Sequence, residues 1–195
     1  TDASEVRIQG FAGWKAGMTH ILARDLNPRS LSAGQEVRVP VTVVECPKMR
    51  ILGVRGYSMN AYGKQAAGEA WVDASQISEA FPDLFKRLPE RKEHDAEKHF
   101  ENLDKADLVE VRLIAATQPS SVASLPSKTP DLMEIGLDGG TIGEKLAFAK
   151  EKLGEEYSFA DAFEEGGLTD IVAVTKGYGW QGVIKRFGGK LQSHK

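Results

Sequence analysis

Cysteine is almost missing: Cys46 stands alone in 195 residues, so no internal disulfide can brace the fold. That usage fits a reducing, cytoplasmic setting. Long apolar runs are missing too. No stretch approaches the roughly 18 apolar residues that a membrane-spanning helix needs, so such a helix is excluded. The first residues show no signal-peptide pattern. Histidine is scarce, and His20, His94, His99 and His194 show no metal-ligand spacing. His94 and His99 would point to different helix faces, and no His-Glu-x-x-His or cysteine partner completes a zinc site. No metal, cofactor or catalytic residue is expected. Cys46 closes an apolar run before Pro47 with no histidine nearby in sequence. It reads as a buried structural thiol rather than a nucleophile.

Acid is missing from one end. The whole chain is −3, yet from Ile171 to Lys195 there are five Lys or Arg and no Asp or Glu. Residues 1–170 therefore carry −8, since −3 minus +5 is −8. The basic end opens with an apolar run, Ile171 to Val174, that reads as a buried strand. Gly177, Gly179, Gly182, Gly188 and Gly189 follow, which argues against a regular helix. Tyr178, Trp180 and Phe187 stand among Lys176, Lys185, Arg186 and Lys190. Glycines let a backbone approach a surface closely, and cations meet phosphates. Exposed aromatics between cations stack on unpaired bases.

Gly177, Gly179 and Gly182 also spell the G-x-G-x-x-G of dinucleotide sites. That fingerprint needs a helix from the third glycine and an acid about 20 residues on. Only Val183 to Phe187 precede Gly188-Gly189, and the acid is absent. A kinase glycine loop would need a downstream strand lysine and a catalytic loop, which are also absent. A glycine-loop nucleotide enzyme stays as one alternative. An interaction domain using an acidic insertion is the other.

The remaining chain reads as β-rich at first. Residues 6–24 suggest strands bent or bulged at Gly10, Gly13 and Gly17. Asn27-Pro28 marks a turn. Val37 to Cys46 is β-branched and reads as a strand, with Met49 to Tyr57 as a partner strand. Residues 58–70 read as a loop. Short strands with close turns suggest a barrel. From Asp73 to Glu110 eleven acids face six bases, which reads as a solvated surface. Phe81, Leu84, Phe85 and Leu88 fall at helical spacing until Pro89. A second helical piece covers about 95–103, and strands cover Val109 to Ile114 and Leu132 to Leu137, with a proline-rich loop between. Thr141 with Glu144 makes a capping-box pattern before a helix striped by Ile142, Leu146, Ala149 and Leu153. Ser158 starts a short helix that ends at Gly166-Gly167.

The basic end resembles the signature of the universal third protein family of the large ribosomal subunit. Phe163, Asp170, Ala173, Thr175, Gly177, Gly179, Gly182 and Arg186 fall in its register. Tyr178 departs from it, standing where that family usually has Lys, Arg or His. Near the start, Gly13 to Leu22, GWKAGMTHIL, resembles the family's G-x-K-x-G-M-T opening. The sequence between is similar to archaeal members.

The resemblance implies a mostly β fold with an α+β insertion. It would be part of a six-stranded translation-protein-type barrel, completed by strands beyond these residues. Residues 1–72 would begin the barrel, 73–165 form the insertion and 166–195 return as a strand with a basic RNA-binding loop. It also implies a cytoplasmic, non-enzymatic structural constituent of the large subunit. Such a protein would bind large-subunit ribosomal RNA near the peptidyl transferase region, help nucleate assembly and touch neighbouring ribosomal proteins. Neither a membrane nor a small-molecule substrate is expected. The expected RNA contacts are Lys176, Gly177, Tyr178, Gly179, Trp180, Gln181, Gly182, Lys185, Arg186, Phe187, Gly188, Lys190, His194 and Lys195. Lys15 and Thr19 of the opening motif join them.

Overall fold

The computed structural model describes residues 5–86, 88 and 95–194. Pro89, His94 and Lys195, each part of an expectation above, lie outside the described residues. The chain divides into two units, residues 1–165 and 166–195.

The first unit begins with strands β1 (Arg7–Ile8), β2 (Trp14–Arg24), β3 (Glu36–Glu45), β4 (Met49–Asn60) and β5 (Gly63–Trp71). Helices α1 (Ala74–Ala80), α2 (Pro82–Phe85) and α3 (Ala96–Lys105) follow. Then come β6 (Glu110–Ala116), a single 3-10 turn at Pro119–Ser121, β7 (Leu132–Asp138), α4 (Ile142–Lys152), β8 (Glu156–Tyr157) and α5 (Phe159–Ala162). One antiparallel sheet runs β1-β7-β6-β4-β5, and β8 pairs with the start of β4. β2 and β3 form a separate two-stranded sheet. Neither sheet closes on itself among the described residues.

Apolar alternation explains why the large sheet holds together. Val111, Leu113 and Ala115 of β6 join Met49, Ile51 and Val54 of β4 on one face, under Phe100 and Leu103 of α3 and Leu146 and Ala149 of α4. Ile114 and Ala116 point the other way, with Leu52 and Trp71, beneath Ile77, Phe81 and Leu84 of the α1–α2 region. Met49, Ile51 and Val54 share a face because a bulge between Ile51 and Gly53 adds one residue. α4 starts at the expected capping box: Thr141 accepts from the Glu144 N–H, and Glu144 accepts from the Thr141 N–H.

Three expectations change. β4 does not partner β3; it lies inside the larger sheet between β5 and β6, which suits a strand apolar on both faces. Residues 58–70 are not a loop. β4 continues to Asn60 and β5 returns from Gly63, but Gly-Lys-Gln-Ala-Ala-Gly lacks the branched residues that mark a strand. The Phe81–Leu88 stripe splits, because Pro82 opens the first turn of a new helix; Phe81 and Leu84 are buried and Phe85 is exposed. β6 and β7 pair into the sheet of β4.

Cys46 is half-buried, and burial first, then Glu45, pushes its thiol up. That disfavours the thiolate and fits a structural role. No cluster of three or more metal-ligating side chains occurs among the described residues.

Beyond the α1–α2 cover, the second face of the sheet carries a charged lattice. Arg55 donates from Nε and Nη2 to Glu69, at 2.9 and 2.6 Å, and also pairs with Glu134. The Tyr57 hydroxyl donates to Glu134 at 2.6 Å. Arg112 donates to Glu110 at 2.7 Å and lies 4.9 Å from the Tyr57 ring centroid. Lys64 also pairs with Glu110. Arg112 first, then Lys64, holds the Glu110 carboxyl down at about 2 against an ordinary value of 4.5. Folded Glu110 thus binds fewer protons than unfolded Glu110 between those values. Its contribution to stability is present above about pH 4.5 and lost as pH falls towards 2. Glu110→Gln is expected to lower the urea midpoint at pH 7 and narrow its gap from the parent as pH drops. A gap that stays constant from pH 7 to pH 3 would remove Glu110 from this account.

Candidate nucleic-acid interface

Residues 166–194 contain one regular element, α6 (Val183–Phe187). The expected strand at Ile171 to Val174 is not formed. Those residues pair with no strand among the described residues, and Ile171, Val172 and Val174 are exposed. An apolar run becomes a strand only with a partner for its backbone groups. The glycine-rich stretch was expected to lack a helix, yet five residues make one. Gly182 caps it, its carbonyl accepting from Lys185 N and Arg186 N at 3.1 Å each. Gly188, left-handed at φ 65°, ends it. A dinucleotide site needs a preceding strand and a longer helix, and this stretch has neither.

The sequence-predicted residues of this unit fall together on exposed chain. Lys176, Gly177, Tyr178, Gly179, Trp180, Gln181, Gly182, Lys185, Arg186, Phe187, Gly188, Lys190 and His194 are all exposed. Trp180 is fully open, and Phe187 and Val183 are largely so. Nothing lies within 4 Å of a Cβ built at Gly177, Gly179 or Gly182. These glycines therefore do not serve packing inside the unit. Gly179, at φ 67°, turns the chain in a way that other residues resist. Arg186 lies against two rings, its guanidinium carbon 5.2 Å from the centroids of both Tyr178 and Phe187. No acid follows Asp170 to neutralise the cations within the segment.

Lys15 and Thr19 lie on β2, in the other unit, and do not share a face. Lys15 opposes Val44 and Thr19 opposes Val41, with a bulge between Lys15 and Gly17. The bulge shifts the alternation by one residue. Thr19 joins Ile21, Ala23, Val37, Val39, Val41 and Val43 on an apolar face. Lys15 joins Met18, His20, Leu22, Arg24, Arg38 and Thr42 on the opposite face. Arg24 and Arg38 are cation candidates that the sequence reading passes over, and His20 shares their face. Counting alternation across the bulge at Ala16 would have grouped them with Lys15.

The family model described as "Ribosomal protein L3" matches residues 1–195. The chain is 44% identical over 187 residues to the large ribosomal subunit protein uL3 of Archaeoglobus fulgidus, covering 96% of this chain and 55% of that protein. It is 39% identical over 191 residues to the protein of the same name from Picrophilus torridus, covering 98% and 55%. Against that of Methanopyrus kandleri it is 39% identical over 194 residues, covering 100% and 53%. The chain thus spans about half the length of the relatives it matches. With a family match over every residue and relatives near 40% identity along almost its whole length, this chain belongs to the ribosomal protein L3 family.

Proposed function

We propose that this chain is part of a structural, non-enzymatic constituent of the large ribosomal subunit, a cytoplasmic particle in archaea, and that it binds large-subunit ribosomal RNA. The observation that carries the reading is the exposed unit at 166–194. It presents cations without acids after Asp170, and aromatics, Tyr178, Trp180 and Phe187, that are exposed. Lys and Arg take phosphates, while the rings stack on unpaired bases. In this reading the segment lies near the peptidyl transferase region, and its docking helps nucleate subunit assembly beside neighbouring ribosomal proteins. The acids of 73–110 lie away from phosphate.

Filter binding to large-subunit ribosomal RNA tests the reading, comparing the chain with and without residues 171–195. Loss of most affinity on deletion is expected; equal binding would refute it. If Lys176, Lys185, Arg186 and Lys190 each meet a phosphate, the log–log salt slope should be about −3, at roughly 0.7–0.9 per contact. Lys185→Ala should flatten it by about 1 without changing which RNA is preferred. A slope unchanged by that substitution would place Lys185 in solvent.

The β2–β3 hairpin supports a second part of the proposal. On its apolar face, Ile21, Ala23, Val37, Val39, Val41 and Val43, the side chains of Ile21, Val39 and Val43 are exposed, and neither strand pairs with the larger sheet among the described residues. Two-stranded hairpins are marginal alone. The face fits the inner wall of a six-stranded barrel completed by chain outside these 195 residues. Hydrogen exchange on the chain alone should then show β2 and β3 amides opening far more readily than those of β4 and β6. Equal protection in both sheets would count against an incomplete barrel.

A further inference from the structure

Among the described cations of the basic unit, Arg186 is the one with aromatic rings against it. Its guanidinium carbon stands 5.2 Å from the centroid of Tyr178, eight residues earlier, and 5.2 Å from that of its neighbour Phe187. Two backbone features bring Tyr178 within reach. Gly179, left-handed at φ 67°, turns the chain straight after it, and the Gly182 carbonyl anchors the Arg186 N–H at 3.1 Å. Tyr178 is about half covered while Trp180, two residues on, is fully open. The two aromatics are therefore placed differently, although composition would give them one role.

A ring attracts a guanidinium through its π face, whereas phosphate is bound by the in-plane N–H groups at the guanidinium edge. The two interactions do not compete for the same donors. A long cation held in advance also loses less side-chain freedom when it binds. We infer that Tyr178 is a positioning residue of the interface, its ring holding the Arg186 guanidinium by a face and leaving the edge N–H groups free for one backbone phosphate. The inference rests on the RNA-binding reading and adds a division of labour to it. Trp180 is open to meet the RNA, whereas Tyr178 acts through Arg186.

The test is a double-mutant cycle on the full 195-residue chain, with affinity for large-subunit ribosomal RNA measured across a salt series. Arg186→Ala should flatten the salt slope by about 0.7–0.9. Tyr178→Leu should weaken binding about two- to five-fold, the size of an exposed cation–π contact. It should have no further effect once Arg186 is alanine. Tyr178→Phe should keep parent affinity. Lys185→Ala should retain its full effect in the Tyr178→Leu background, because a positioning role touches one cation and a collapsed loop would blunt both. An equal cost of Tyr178→Leu with and without Arg186 would mean that the ring meets RNA itself and would overturn the inference. So would no cost at all, or a Lys185 effect that vanishes with Tyr178. Failure of the underlying reading shows separately, as binding unchanged by deletion of 171–195, and removes this inference with it.

Discussion

Leu103→Ala is expected to lower the unfolding free energy of the body by about 2–5 kcal/mol. Leu103 is 1% exposed on α3, and it fills a trough made by two glycines on paired strands. Gly56 of β4 and Gly68 of β5 stand opposite each other in the ladder. A Cβ at Gly56 would meet Leu103 Cδ2 at 2.8 Å, and one at Gly68 would meet it at 3.2 Å. The leucine thus occupies the space where the sheet has no side chains. Once it is removed, the floor of the trough is backbone at Gly56 and Gly68 and cannot collapse inward, so the residual cavity should put the cost high in that range. The same geometry predicts the response to filling the trough from below. Gly56→Ala alone should destabilise, since Leu103 and Leu108 both sit closer than 3 Å to the new methyl. Combined with Leu103→Ala, it should recover part of the loss, because the methyl then meets open space on the Leu103 side. Urea unfolding followed by far-UV circular dichroism reads both results. A cost under about 1 kcal/mol for Leu103→Ala would mean that α3 does not seal this sheet.

Those glycines also show where sequence reading stops. α4 was legible because its stripe is periodic and Thr141–Glu144 is a local signal, needing no partner elsewhere in the chain. β6 and β7 were legible as branched apolar runs. β5 was not: Gly68 is small where Leu103 needs the room, a tertiary reason invisible locally. The run from Ile171 to Val174 failed in the opposite sense. Its composition is strand-like, but a strand needs a neighbour, and none pairs with it among the described residues.

The candidate interface divides along the same line. Its charge and glycine content were plain from composition, because an acid-free end needs no coordinates to be seen. The grouping of Lys15 with His20, Arg24 and Arg38 was not, since a single bulge reverses the faces. Nor was the contact of Tyr178 with Arg186, which depends on the left-handed turn at Gly179.

Trp180→Ala is expected to cost about 1–3 kcal/mol of affinity for large-subunit ribosomal RNA, the usual worth of one base–aromatic stack. The indole is fully exposed between Gly179 and Gln181, and among the described residues no ring pairing or buried cluster includes it. A buried tryptophan would behave otherwise, since truncation in a core costs about 3–5 kcal/mol of folding stability. The exposed position predicts no such loss, so the melting temperature of the RNA-free chain should be unchanged. The salt slope should also be unchanged, because the substitution removes no charge and releases no counterion. Trp180→Phe should retain much of the binding, since a smaller ring still presents a π face to a base. These expectations separate Trp180 from its neighbours: Lys185→Ala moves the slope, Tyr178→Leu acts only while Arg186 is present, and Trp180→Ala moves affinity alone. Measuring affinity, slope and thermal stability on the one variant decides the matter. Unchanged affinity would leave the most exposed aromatic of the chain without an RNA partner, and a large fall in melting temperature would place the indole in a core instead.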